Sequence, residues 1–188
     1  MTRTLLFFAT ALLALSIGRL GAQTERADWL VGGQLALNTV ENTSSFVFSP
    51  NAGYFVLNGV ALGANLNVTL SKAGNISSTQ YSLGPFARWY FGRGFWRPFL
   101  NAGAGFATER AKIGTVSSSA NGFNWLLGGG LAWFVTDNAA LELTAGYNSV
   151  KLKNFEAQDG LALRIGFQIY LDRYDAERMG IRNRNRNL

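Results

Sequence analysis

Side chains able to do chemistry are scarce in this chain, and the scarcity is selective. There is no His and no Cys, which removes Ser-His-Asp and Cys-His nucleophilic systems, imidazole acid–base catalysis and the common transition-metal ligand sets together. Carboxylates and guanidinium groups remain. Among carboxylates set on the polar face of a patterned segment, Glu142 stands alone, so it lacks the partner that a two-carboxylate acid/base site needs. Arg88 and Arg164 occupy the same kind of face. A lone charge away from water is costly, so these groups should pair. The expected arrangement joins Glu142 to Arg164 on the next segment, with Arg88 reaching in from across the interior. That chemistry is structural: no enzyme activity, no cofactor and no metal site is expected.

The segments that must position these residues are strands. Val60, Leu62, Ala64, Leu66, Val68 and Leu70 share one face, while Ala61, Gly63, Asn65, Asn67, Thr69 and Ser71 share the other. A period of two puts side chains alternately on opposite sides. The split recurs with Leu161, Leu163, Ile165, Phe167, Ile169 and Leu171 against Ala162, Arg164, Gly166, Gln168 and Tyr170. Trp29–Leu37, Phe46–Val56, Thr79–Phe91, Pro98–Thr108, Phe123–Val135 and Ala139–Ser149 read as the other strands, which makes eight. Most have the roughly 9–11 residues a tilted strand needs to cross a bilayer. The face opposite the apolar one is Gly, Ala, Asn, Thr and Ser rather than charge. It suits the crowded polar inside of a narrow barrel, with the apolar face toward lipid. The inward set is then Gln34, Asn65, Asn67, Phe86, Arg88, Tyr90, Asn101, Glu142, Thr144, Arg164 and Gln168.

Residues 1–22 read as a secretory signal peptide, with the apolar run Leu5–Ile17 behind Arg3 and small residues Gly21-Ala22 at its end. Residues 23–171 form the barrel, and 172–188 a basic tail expected to be solvated and disordered. The formal charge of +6 is spread over these parts. The barrel carries ten basic and eight acidic residues, so it is no nucleic-acid footprint.

The links alternate in length. Leu57-Asn58-Gly59, Gly92–Arg97 and Thr136-Asp137-Asn138 are short and rich in tight-turn residues; Asn38–Ser45, Ser71–Ser78, Glu109–Gly122 and Val150–Gly160 are longer and polar. Short turns on one side and long loops on the other are the habit of outer-membrane barrels. An even strand number returns both termini to the periplasm. Aromatics collect at both levels: Trp29, Tyr54, Trp89, Phe91, Trp133 and Tyr170 by the short turns, and Phe46, Phe48, Tyr81, Phe106, Trp125 and Tyr147 by the long links.

On these features the chain resembles the OmpX/OmpW-type small outer-membrane barrels, and most resembles the outer membrane protein beta-barrel domain proteins common in Bacteroidetes-like bacteria. The resemblance rests on Ser49-Pro50-Asn51-Ala52-Gly53-Tyr54-Phe55-Val56, Val60-Ala61-Leu62-Gly63, Leu83-Gly84-Pro85-Phe86-Ala87-Arg88-Trp89-Tyr90-Phe91 and Asn101-Ala102-Gly103-Ala104-Gly105-Phe106. It implies an eight-stranded antiparallel up-and-down transmembrane β-barrel. It also implies that Arg164, Gly166, Ile169 and Leu171 serve as the assembly signal, although the chain continues past Leu171 where such proteins usually end. Pro50 and Pro85, which cannot donate to a ladder, are expected to face outward. They form either bulges that shape the wall or, as the OmpW-type resemblance implies, a lateral opening for small hydrophobic solutes. The expected function is a non-enzymatic structural or surface-interaction role with a plugged polar interior. The alternatives are an OmpW-like passage for hydrophobic solutes and a soluble lipocalin-like periplasmic barrel. Expected partners are outer-membrane lipid and lipopolysaccharide and the barrel assembly machinery, and the expected oligomeric state is a monomer.

Overall fold

The computed structural model describes residues 24–40, 43–74, 76–113 and 116–172; the expected leader and the tail beyond Asp172 lie outside the described residues. Eight antiparallel strands close into one ring in chain order. They are β1 (Trp29–Val40), β2 (Thr43–Leu57), β3 (Val60–Ala73), β4 (Ile76–Tyr90), β5 (Trp96–Ile113), β6 (Val116–Thr136), β7 (Ala139–Leu152) and β8 (Gln158–Leu171).

The register fixes the stagger of the ring. From Leu171 the rung runs through Trp29, Tyr54, Leu62, Ala87, Ala102, Leu127 and Tyr147, and returns to β8 at Leu161, ten residues from its start. Such a shear belongs to strands tilted about 35–45° to the barrel axis. Each step from one strand to the next along a rung therefore climbs toward the long-link end.

The alternation sorts the faces as lipid demands. Val31, Leu35, Phe48, Leu62, Leu66, Leu83, Leu100, Leu127, Leu143, Ile165 and Phe167 point outward and are exposed. Inside lie Gln34, Arg88, Asn101, Glu142, Thr144 and Gln168, all buried. That is an apolar exterior around a polar interior, the reverse of a lipocalin-like binding barrel. Aromatic pairs mark both rims of the outer belt: Trp29–Tyr54 and Trp96–Trp133 by the short turns, and Phe106–Phe123 and Trp125–Tyr147 by the far end. Tyr170, expected in the first of these rings, is instead wholly inside, as its alternation with Gly166 and Gln168 requires.

Three expected long loops are strand. The β1–β2, β3–β4 and β5–β6 ladders run on to Val40–Thr43, Ala73–Ile76 and Ile113–Val116, and among the described residues only β7–β8 keeps an open link, residues 153–157. The extra rungs carry polar residues on both faces, Ser77, Thr79, Arg110 and Lys112 outward among them, because beyond the bilayer neither face needs to be apolar. Among the short turns, Gly59 adopts φ 76°, which a side chain rarely tolerates.

Both prolines leave a mark. The β2–β3 ladder skips Ser49–Pro50 opposite Leu66–Asn67, and the β4–β5 ladder skips Gly84–Pro85 opposite Ala104–Gly105, with the register unchanged across each gap. The missing proline N–H accounts for the skip. The strands stay together nonetheless. Ser49 bonds to the Asn67 side chain, and the Ala104 carbonyl presses on the place a Gly84 Cβ would take.

Candidate functional site in the barrel interior

The short-turn half of the lumen is filled. Arg88 on β4 places Nη1 3.1 and 3.0 Å from the two carboxylate oxygens of Glu142 on β7, with both side chains almost fully buried. The Tyr90 hydroxyl donates to Glu142 Oε1 at 3.0 Å, and the Tyr170 hydroxyl lies 3.2 Å from the same oxygen and 3.1 Å from the Tyr90 hydroxyl. One carboxylate is thus held by a cation and two phenols. The guanidinium also lies over the Phe99 ring, 4.8 Å from its centroid.

The stagger explains why Arg88 is the partner. The rung from Arg88 reaches β7 at Gly146, through Asn101 and Gly128. Ten residues of shear over eight strands is about 1.25 residues per strand, so three steps have climbed roughly four residues. The residue level with Arg88 on β7 is therefore Glu142. Arg164 stands elsewhere. The β8 neighbour of Glu142 is Gly166, Arg164 lies beside Thr144, and the stagger lifts it about three residues above the carboxylate. The expected Glu142–Arg164 pair does not form.

Below the cluster is an aromatic floor that alternation alone did not single out. Leu30, Phe55, Phe99, Phe134 and Tyr170 pack across the lumen, with Phe134 and Tyr170 ring centroids 4.8 Å apart. Arg97 lies over Phe134 at 4.7 Å. The segment before β1 seals this end. Thr24 bonds to Arg97 through its hydroxyl and accepts the Gly59 amide at 2.8 Å, while Phe55 exchanges backbone bonds of 2.9 Å with Ala27 and Asp28. Counting the alternation outward from Asn101 to Phe99 and from Ala132 to Phe134 would have found two of these rings.

The other half of the lumen is hollow. A cavity of about 280 Å³ is lined by Asn65, Asn67, Gln80, Asn124, Asn148 and Arg164, among others. Gln34, below it, donates to the Thr144 hydroxyl at 3.0 Å. Arg164 makes no ion pair or hydrogen bond among the described residues, and its Nε is buried without a partner. Of the assembly-signal positions, Gly166 is buried against Gln34, Ile169 faces outward and Leu171 ends β8 opposite Trp29. Among the described residues, no cluster of His, Cys, Asp and Glu could hold a metal ion.

Comparison with known proteins agrees with this architecture. The crystal structure of Neisserial surface protein A is similar, with a TM-score of 0.61 at 19% identity over 76% of this chain and 95% of that one. The N-terminal β-barrel domain of Pseudomonas aeruginosa OprF is similar with a TM-score of 0.52 at 15% identity, over 78% and 98%. At these identities the likeness speaks for the fold alone. No curated protein matches the chain in sequence. Residues 7–170, however, match the outer membrane protein beta-barrel domain family. With a lipid-faced ring of eight strands spanning most of that match, the chain belongs to the outer membrane protein beta-barrel domain family.

Proposed function

We propose that this outer-membrane barrel is a non-enzymatic, non-conducting wall protein. Its work is structural or lies in surface contacts made by the external hairpins. Both termini face the periplasm, the barrel is monomeric, and its partners are outer-membrane lipid, lipopolysaccharide and the barrel assembly machinery. One observation carries the reading: the Arg88–Glu142–Tyr90–Tyr170 cluster lies directly on the aromatic floor and leaves that half of the lumen filled. An eight-stranded barrel is just wide enough for its own side chains to fill it or for one small ligand, too narrow for a broad aqueous channel. Planar-bilayer recording of the refolded protein tests it. No steady conductance is expected, and large, stable single-channel openings would overturn the closed-lumen reading.

A second reading, sideways passage of small hydrophobic solutes at Pro50 and Pro85, draws support from the two interrupted ladders. The Ser49–Asn67 bond and the Gly84–Ala104 contact favour a role for these interruptions in wall shape. If passage does occur there, replacing both prolines by Ala should slow solute entry into vesicles carrying the barrel.

A further inference from the structure

Seven rungs join β1 to β8, from Trp29–Leu171 up to Leu35–Ile165, and there the ladder ends. Above it β1 continues from Ala36 to Val40, and β8 from Arg164 back to Gln158, with no pair between them among the described residues. Each strand remains paired on its other edge, β1 to β2 and β8 to β7. The gap opens in the outward apolar belt: Leu161 and Leu163 beside it are 89% and 69% exposed. In hydrocarbon an unpaired strand edge is tolerated where it borders a polar, watered cavity. Such a cavity lies directly behind the gap, lined on this side by Ala36, Gly160, Ala162 and Arg164. The first three are small and leave room. Arg164 brings a guanidinium whose Nε has no partner, and the Asn124 Oδ1 across the cavity is likewise unpaired. Asp159, the carboxylate at the rim, sits beside the outward Tyr147 hydroxyl.

We propose that this cup binds the anionic headgroup of a single-chain amphiphile drawn from the outer leaflet. Arg164 takes the headgroup oxygens, and the tail leaves through the β1–β8 gap over Leu161 and Leu163. The inference rests on the barrel lying in the membrane. The side exit favours an amphiphile over a free anion, because it lets the tail stay in hydrocarbon while the charge reaches Arg164, the one cation among the described residues lining the cavity. At about 280 Å³ the cavity is near the lower end for small-molecule sites, enough for a headgroup.

The test uses the full mature chain in phosphatidylcholine nanodiscs, followed by NMR of the Arg164 Nε–H and the Gly160 and Ala162 amides. Dodecyl phosphate should shift these resonances saturably, whereas dodecanol and inorganic phosphate at the same concentration should not. Arg164→Gln should weaken the binding at least tenfold, Arg164→Lys should retain part of it, and Arg110→Gln, on the exposed hairpin, should leave it unchanged. The chain has no cysteine, so Leu37→Cys with Leu163→Cys, opposite one another if the register continued, gives a clean staple across the gap. Oxidation should abolish binding and reduction restore it. Equal affinity in Arg164→Gln, equal shifts from inorganic phosphate, or binding unaffected by the staple would each overturn the proposal. A parent protein whose gel mobility does not change on heating, as that of a detergent-resistant closed barrel does, would overturn the membrane reading beneath it.

Discussion

Replacing Glu142 is the sharpest probe of the interior. Glu142→Gln keeps the volume but removes the charge that Arg88 meets at 3.0 Å, and leaves a guanidinium that is 3% exposed without a counter-ion. Breaking a buried pair from one side costs about 3–5 kcal/mol, most of it the stranded charge. The Tyr90 and Tyr170 hydroxyls still find the amide oxygen, so their bonds should offset little of that loss. Replacing both partners, Arg88→Met with Glu142→Leu, removes the uncompensated charge and should return stability to the parent level or above it. The assay is urea unfolding in lipid vesicles, read by tryptophan fluorescence and gel mobility, with stability taken from the linear extrapolation. A double-mutant cycle then separates the partners. Coupling between positions 88 and 142 should be about 3 kcal/mol, and between 164 and 142 below about 0.5 kcal/mol. A loss under about 1 kcal/mol for Glu142→Gln, or strong coupling to Arg164, would refute the reasoning.

Leu66→Lys, on the lipid face near mid-strand, should cost about 2–4 kcal/mol. Asn67→Lys, one residue on and facing the hollow half of the lumen, should cost clearly less by the same unfolding assay. Gly130→Ala would set a methyl against the Leu143 backbone carbonyl and 2.6 Å from the Phe99 ring edge, and overpacking of this kind costs about 1–3 kcal/mol or more, visible as an earlier unfolding midpoint. Asp28, ahead of β1, has its carboxyl pushed above the ordinary range chiefly by burial, against the lowering effect of the Glu25 amide it accepts. The folded state therefore holds this proton more tightly than the free chain does. The resulting stability is full below the free-chain value of about 3.9 and is lost as pH rises through the folded value. Asp28→Asn should accordingly outlast the parent at pH 7 and match it at pH 3 in the same unfolding curves.

The lipid-crossing part of each strand was legible in the sequence, because hydrocarbon outside and a crowded polar lumen inside impose opposite demands on alternate residues. Leu66 and Asn67 show both demands in two positions. Past the membrane the demand lapses, so Ser77, Thr79, Arg110 and Lys112 look like loop although they are paired strand. The inward face of Arg88, Glu142 and Arg164 was legible too, but not who meets whom. Strand order makes Glu142 and Arg164 neighbours, and only the stagger of the closed ring, a sum over eight registers, lifts one past the other and levels Arg88 with Glu142. The aromatic floor was obscured for a local reason. Phe55 and Phe134 are the last inward residues before the ladders slip by one, at Phe55/Leu57 and Phe134/Thr136, so the count by twos reaches them only when it is carried to the very ends of the strands.

One rung shapes the end of the barrel opposite the short turns. Val40, Thr43, Ala73, Ile76, Ile113 and Val116 are joined in sequence across the tops of three hairpins. Since a rung climbs as it circles a staggered ring, these tips form a ramp. Five strand steps of about 4.8 Å at a tilt near 40° raise it by about 15 Å from β1 to β6. At β7 it drops, because the β6–β7 ladder starts only at Gly122–Leu152. The barrel thus has a tall side and a low side. With the termini in the periplasm, as proposed, a bulky visitor from solution would touch the β5–β6 crest first and be held off the bilayer there, while the low side beside β8 would be left to whatever travels within the leaflet.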